Sequence, residues 1–197
     1  LDATTAASWA FWFRPTTFAD NRFILERTGT TIWSIRAATS TANGIRIFIG
    51  GTGNNVLAVD PMVANGSAIH VAITYNAGTV AIYFNGVAMP TTITGAIPAT
   101  IPASASGLKF GGTAFASIAD YAEVAFWPRV LTGSEIEFVS RSQADLTALA
   151  PPLWFSFDAG DGSGGIDNDG TAGAALDGTV INVADGDIVS GQLSSCP

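Results

Sequence analysis

From His70 to Val87 the chain reads HVAITYNAGTVAIYFNGV. Val71, Ile73 and Tyr75 alternate with small or polar residues. A Gly-containing turn follows, and Val80, Ile82 and Phe84 then resume the alternation before Asn85-Gly86. A two-residue repeat gathers one apolar face on a strand but would scatter it around a helix. Asn-Gly supplies the positive φ angles that tight hairpin turns need. The segment therefore reads as an antiparallel hairpin with one greasy face, and that face demands a second apolar layer to cover it.

The pattern recurs. Trp9, Phe11 and Phe13 alternate with Ser8, Ala10, Trp12 and Arg14, and Pro15 is expected to stop the run. Phe23-Ile24-Leu25 is a short apolar run. Trp33 and Ile35 alternate with Ser34 and Arg36, and Ile45, Ile47 and Ile49 alternate with Arg46 and Phe48. Leu108 and Phe110, Val124 and Phe126, and Leu153, Phe155 and Phe157 continue the series. One short helix is expected near 132–140: Thr132 can cap it, Glu135 three residues on completes a capping box, and Leu131 can staple onto Ile136. Residues 88–107, rich in Pro, Thr, Ala and Ser, read as a linker or long loop, as do residues 141–152. The expected fold class is all-β, two antiparallel sheets packed face to face.

Composition narrows the function. At 197 residues, 48% hydrophobic and 12% charged, the chain can bury a real core and is not disordered. A formal charge of −8 with a single lysine, Lys109, argues against a nucleic-acid partner and against docking on anionic lipid. No apolar run approaches the ~18 residues that span a bilayer, so no membrane insertion is expected. The chain opens at Leu1 rather than Met, the expectation being a processed or excised chain. Cys196 is the only cysteine, cannot form an internal disulfide, and has no role legible in the sequence.

In order along the chain, the motifs resemble the laminin-G-like branch of the concanavalin A-like jelly rolls. They are Phe11-Trp12-Phe13-Arg14-Pro15, Phe23 to Glu26, Trp33 to Arg36, the His70 to Gly86 hairpin, Phe110 to Gly112, Glu123 to Trp127, and Arg129 to Ile136. Ser67-Ala68-Ile69 and Ala122 depart from that family's pattern, which has Trp and Asp there. The resemblance implies one jelly-roll domain over residues 1–197 with its core in 5–140. The tail from Leu153 to Leu176 resembles the segment that usually precedes this core. The segment 150–197 is therefore expected to supply the first-strand position in permuted order and complete the sandwich.

Several residues invite chemical roles. His70, the only histidine, would have to serve any Ser-His-Asp or Cys-His mechanism; its place within a strand favours a structural role. One His and one Cys exclude a His-rich zinc site. Glu135 and Glu137 resemble a glycosidase carboxylate pair, but i and i+2 diverge on a helix, and no catalytic residue is assigned. Asp158, Asp161, Asp167 and Asp169, with Asn168 among glycines, offer the hard oxygens calcium prefers, although Asp-Gly clusters also form ordinary turns. Calcium is the one cofactor considered. Five tryptophans invite a sugar platform, but Trp9 and Trp12 should face opposite ways and most should be core. Asn65-Gly66-Ser67 is a glycosylation sequon.

The resemblance implies a non-enzymatic recognition or assembly module on an extracellular, cell or virion surface, such as a phage capsid decoration or tail component. Its partners would be protein subunits of a larger assembly or surface glycans, and high hydropathy with few charges is consistent with a homo-oligomer. The alternatives are a carbohydrate-binding module of a secreted protein and, third, a glycoside hydrolase.

Overall fold

A computed structural model describes residues 3–27, 32–39, 43–103, 107–110, 118–141, 145–156, 165–166, 168–173 and 178–179. The strands are β1 (Ala6–Thr17), β2 (Phe23–Arg27), β3 (Trp33–Ala38), β4 (Gly44–Ile49), β5 (Asn55–Val59), β6 (Ile69–Asn76), β7 (Thr79–Phe84), β8 (Val87–Ala88), β9 (Thr91–Thr94), β10 (Leu108–Phe110), β11 (Ile118–Trp127), β12 (Leu153–Phe155), β13 (Gly165–Ile166) and β14 (Gly178–Thr179). Helix α1 (Gly133–Val139) and a 3-10 turn at Leu146–Leu149 lie between β11 and β12. Two six-stranded sheets form, in the orders β12-β11-β1-β6-β7-β8 and β10-β2-β3-β4-β5-β9, and β13 pairs with β14 as a ribbon. All pairings are antiparallel. The expected all-β sandwich is the observed one.

The hairpin of the opening motif is β6–β7, with Val71 opposite Phe84 and Tyr75 opposite Val80. Ala77 and Gly78 (φ 45° and 91°) turn β6 into β7, and Asn85 and Gly86 (φ 49° and 82°) turn β7 into β8. Both pairs have the two positive φ angles whose twist matches the flanking strands. Val71, Ile73, Tyr75, Val80, Ile82 and Phe84 all enter the core between the sheets. There they meet Trp9, Phe11 and Phe13 of β1 and Trp33, Ile35, Ile45 and Ile47 of the facing sheet. Burying a side chain of this size contributes roughly 1.5–3 kcal/mol, so the shared layer is what holds the sheets together. Trp9 and Trp33 meet edge to face, with ring centroids 5.3 Å apart.

A second, smaller core lies on the other side of the first sheet. Ala10, Ala72 and Ala125 make a shallow floor there, on which Trp127, Leu131, Ile136, Val139 and Leu146 pack. Helix α1 sits on this floor, which is why three neighbouring strands carry alanine at that level. Thr132 and Glu135 form the expected capping box, and Leu131 and Ile136 share the cluster. Buried Ser8 fixes the loop before the helix: its hydroxyl donates to the Arg129 carbonyl (2.8 Å) and accepts from the Leu131 N–H (3.0 Å).

Three sequence readings need correction. Pro15 does not end β1, which runs to Thr17. The pairing of β1 with β6 stops at Phe13–Ile69, so beyond it β1 pairs only with β11, and an edge tolerates a residue without an N–H. Residues 88–107 are not simply a loop. Thr91–Thr94 add β9 to β5, and Ile101 is buried, its N–H bonded to the Thr4 carbonyl at 2.9 Å. All four β9 residues are exposed, so the strand shows no alternation. Residues 55–59 form β5, a strand the sequence reading did not pick out.

Candidate functional site

The outer face of the second sheet carries an unusual set of side chains. Register places Lys109, Glu26, Ser34, Phe48, Asn55 and Thr94 in one row across the strands. Phe23, Arg36, Arg46, Leu57 and Thr92 make the adjacent row. These positions alternate with Ile35, Ile47 and Val56, which point into the core, so both rows face away from it. The Arg36 guanidinium carbon lies 4.0 Å from the Phe23 ring centroid and 4.4 Å from that of Phe48. That of Arg46 lies 5.9 Å from the Phe48 ring. Arg36 Nε donates to Ser34 Oγ at 3.0 Å. Burial lowers the Arg36 pKa, the Glu26 carboxylate raises it, and neighbouring Arg46 lowers it further. Ser34, Phe48 and Glu26 are buried, while Arg36 and Arg46 are half-buried above them. The result is a polar-aromatic face on which ring contacts hold the Arg36 cation in place.

This face went unnoticed in the sequence because Arg36 and Arg46 look like ordinary solvent positions of alternating strands. The available signal was Phe48 on the same polar side of Gly44–Ile49 as Arg46. Only the register shows that both arginines and both rings converge.

Elsewhere, His70, Glu135, Glu137 and the tryptophans each have local partners in the fold. His70 sits on β6 opposite Trp12, ring centroids 5.3 Å apart. It is 1% exposed, its Nδ1 has no hydrogen-bond partner, and burial drives its pKa down to about 3. Its backbone N–H and carbonyl bond to Asn85, at 2.9 Å each. Glu135 is chelated by Arg129, at 2.7 and 2.9 Å, and also accepts from Thr132. The Arg129 hydrogen bond, chiefly, holds the Glu135 carboxyl down to about 2. Glu137 instead pairs with Arg141 on the helix surface. The two glutamates thus have separate cationic partners and do not share one proton.

Trp9 faces the core and Trp12 the opposite side, as alternation demands. Trp9, Trp12, Trp33 and Trp127 are buried and Trp154 is half-buried. Among the described residues no aromatic side chain is exposed, so the tryptophans present no open sugar platform there. Glu123, left-handed at φ 51° in the bulge where β11 opposes Phe11, accepts a hydrogen bond from the Trp154 indole. Asn65 of the sequon is exposed, its side-chain oxygen held by the Phe18 N–H.

Asp158, Asp161 and Asp167 lie outside the described residues, as does Cys196. Asp169 is described and uses one carboxylate oxygen to accept from the Ser156 hydroxyl (2.6 Å) and N–H (3.3 Å). Asn168 accepts from the Trp154 and Gly170 N–H groups and donates to the Pro152 and Gly173 carbonyls. The described part of this cluster therefore clamps the chain after β12, and of its side-chain oxygens only the second one of Asp169 is without such a bond. Among the described residues no three His, Cys, Asp or Glu side chains converge on a common point.

Residues 1–137 match the family profile of the concanavalin A-like lectin/glucanases superfamily, in its laminin G-type form. The chain belongs to this superfamily. Solved concanavalin A-like structures share the fold. A candidate carbohydrate-binding protein from Bacteroides ovatus superposes with TM-score 0.65 at 17% identity, covering 85% of this chain and 50% of that one. A heptameric SAP-like pentraxin from Limulus polyphemus gives TM-score 0.58 at 14% identity, covering 73% of each chain. Domain 4 of AbnA, an extracellular arabinanase from Geobacillus stearothermophilus, solved with arabinotriose, gives 0.50 at 14% identity over 72% of this chain and 69% of that one. No curated protein matches by sequence. Among the described residues no helix is long and apolar enough to cross a membrane.

Proposed function

We propose that this concanavalin A-like chain is a recognition module that binds a glycan on the outer face of β2–β5 and carries out no bond-breaking chemistry. The observation behind this reading is the outward face around Arg36, Arg46, Phe23 and Phe48, where ring contacts and Ser34 hold the Arg36 donors in place. Guanidinium donors pre-set by the rings beneath them suit the hydroxyls of a sugar. The known relatives with carbohydrate in their descriptions support the ligand class. The separate pairing of Glu135 and Glu137 removes that pair as the two flanking carboxyl groups a glycosidase needs. Display outside the cell or on a virion belongs to the same reading, and so does calcium bound by the Asp158 to Asp169 stretch.

A glycan array with the full chain tests it, run in calcium and again in chelator. Competable binding that is lost when Phe48 and Arg36 are replaced is expected. A blank array from a folded chain contradicts the reading, and signals identical in calcium and chelator contradict a calcium requirement for binding.

A second reading, assembly into a larger particle, is favoured by one observation. Val87 of β8 and Ile93 of β9 are 65% and 59% exposed on the outermost strands of the two sheets, and Met62 is 63% exposed. Sedimentation of the same preparation as a monomer at all concentrations, without binding of an apolar dye, would count against it.

A further inference from the structure

Arg36 and Arg46 stand directly opposite each other on β3 and β4, in the middle of the second sheet. Like charges directly opposite on one face destabilise a sheet, and burial already disfavours the charged form of Arg36. Three other arginines are matched to carboxylates: Arg14 to Asp120, Arg129 to Glu135 and Arg141 to Glu137. Arg36 and Arg46 form no such ion pair among the described residues. Glu26 influences Arg36 through its field, but the hydrogen bond of Arg36 goes to the neutral hydroxyl of Ser34. Arg46 Nε is buried with no acceptor at all. Trp9 Nε1, Trp33 Nε1 and His70 Nδ1 are buried without partners as well, so the opposed charges, more than this one orphaned donor, single out the pair.

We infer that the Arg36–Arg46 pair is an anion subsite, and that the glycan bound on this face is acidic, carrying a carboxylate or sulfate that sits between the two guanidinium groups. The inference rests on the glycan reading above and names the part of the ligand that the cations select. Two planar guanidinium groups match the paired oxygens of a carboxylate or sulfate, a geometry lysine could not supply. Stacking on Phe23 and Phe48 fixes the orientation of Arg36 before any ligand arrives, so little freedom remains to be lost on binding. An anion would relieve the repulsion between the arginines and give the second guanidinium an acceptor. The remainder of the sugar would lie along the row toward Leu57 and Thr92.

Calorimetry with the full chain and three probes of similar length tests this. The probes are an oligogalacturonate, its methyl ester, and a sulfated galactan oligosaccharide. The ester keeps the sugar backbone and removes the charge. The acid is expected to bind at least tenfold more tightly than the ester. Arg36→Gln and Arg46→Gln should each remove most of that preference without lowering the melting temperature, and Arg14→Gln should leave it intact. Arg36→Lys is expected to recover only part, since it keeps the charge and loses the fork. Preference for the sulfated probe over the acid, lost in the same variants, would assign the subsite to sulfate. Equal affinity for acid and ester, or an acid preference untouched in both Gln variants, overturns the anion subsite. If the ester or a neutral array sugar still binds on this face, the glycan reading stands without it. Silence toward all three probes and the whole array overturns both.

Discussion

A chain that ends at Leu149 is expected to lose cooperative unfolding. We propose that residues 1–197 make one domain, closed by the late strand in permuted order, and the contacts of β12 explain why its loss would be severe. Leu153, Trp154 and Phe155 pair with Phe126, Ala125 and Val124 at the edge of the first sheet. Phe155 is 4% exposed and meets Phe110 edge to face at 5.5 Å, bridging toward β10 of the other sheet. Removing one buried Phe from a core costs about 3–5 kcal/mol. A domain has only about 5–15 kcal/mol in total. The truncation also removes Leu153, Trp154 and the Asn168 clamp, and it strips β11 of an edge partner, so the combined loss is comparable to the whole. Thermal unfolding followed by calorimetry decides this. A truncated chain with a sharp transition near the full-length temperature would mean that the late strand is an accessory.

The second large effect is acid sensitivity centred on His70. In the folded chain its pKa falls from 6.5 to about 3, because the imidazolium would be buried beside Trp12 without an acceptor for Nδ1. The unfolded chain therefore takes up a proton that the folded chain refuses. A depressed folded pKa means that stability is intact above the unfolded value and falls as the pH drops below it. The expected loss from one such group is about 2 kcal/mol by pH 5 and about 3 kcal/mol by pH 4. Glu135 has the same sign but acts lower, between its usual value of 4.5 and about 2, so the slope between pH 6.5 and 5 isolates the histidine. Denaturant unfolding of the wild type and of His70→Phe across that range should show a flatter curve for the variant, with His70→Gln as a second check. Parallel curves for all three would mean that His70 takes up its proton as readily in the fold as in the unfolded chain.

The parts of this molecule that were legible in the sequence are those governed by local rules. The β6–β7 hairpin announces itself through alternation and two turn signals, and the capping box through spacing alone. Opposite orientations for Trp9 and Trp12 followed from counting. What escaped depended on neighbours distant in sequence. β9 is an exposed edge with no apolar face to read, and it exists because β5 offers it a partner. Pro15 reads as a terminator until it is known that β6 has already left its side of β1. Arg36 and Arg46 have unremarkable positions in their own strands. Their significance lies in a cross-strand register set by the β3–β4 connection and in two rings brought from β2 and β4.

The role we propose for this face is to hold a sugar and leave it unchanged. Its most direct test is to incubate the full chain with each glycan it retains, then recover the ligand and weigh it by mass spectrometry. Intact glycan after prolonged incubation, with retention abolished by the Arg36→Gln, Arg46→Gln double variant, is the predicted result. Shortened products that disappear when a single acidic side chain is replaced would contradict it.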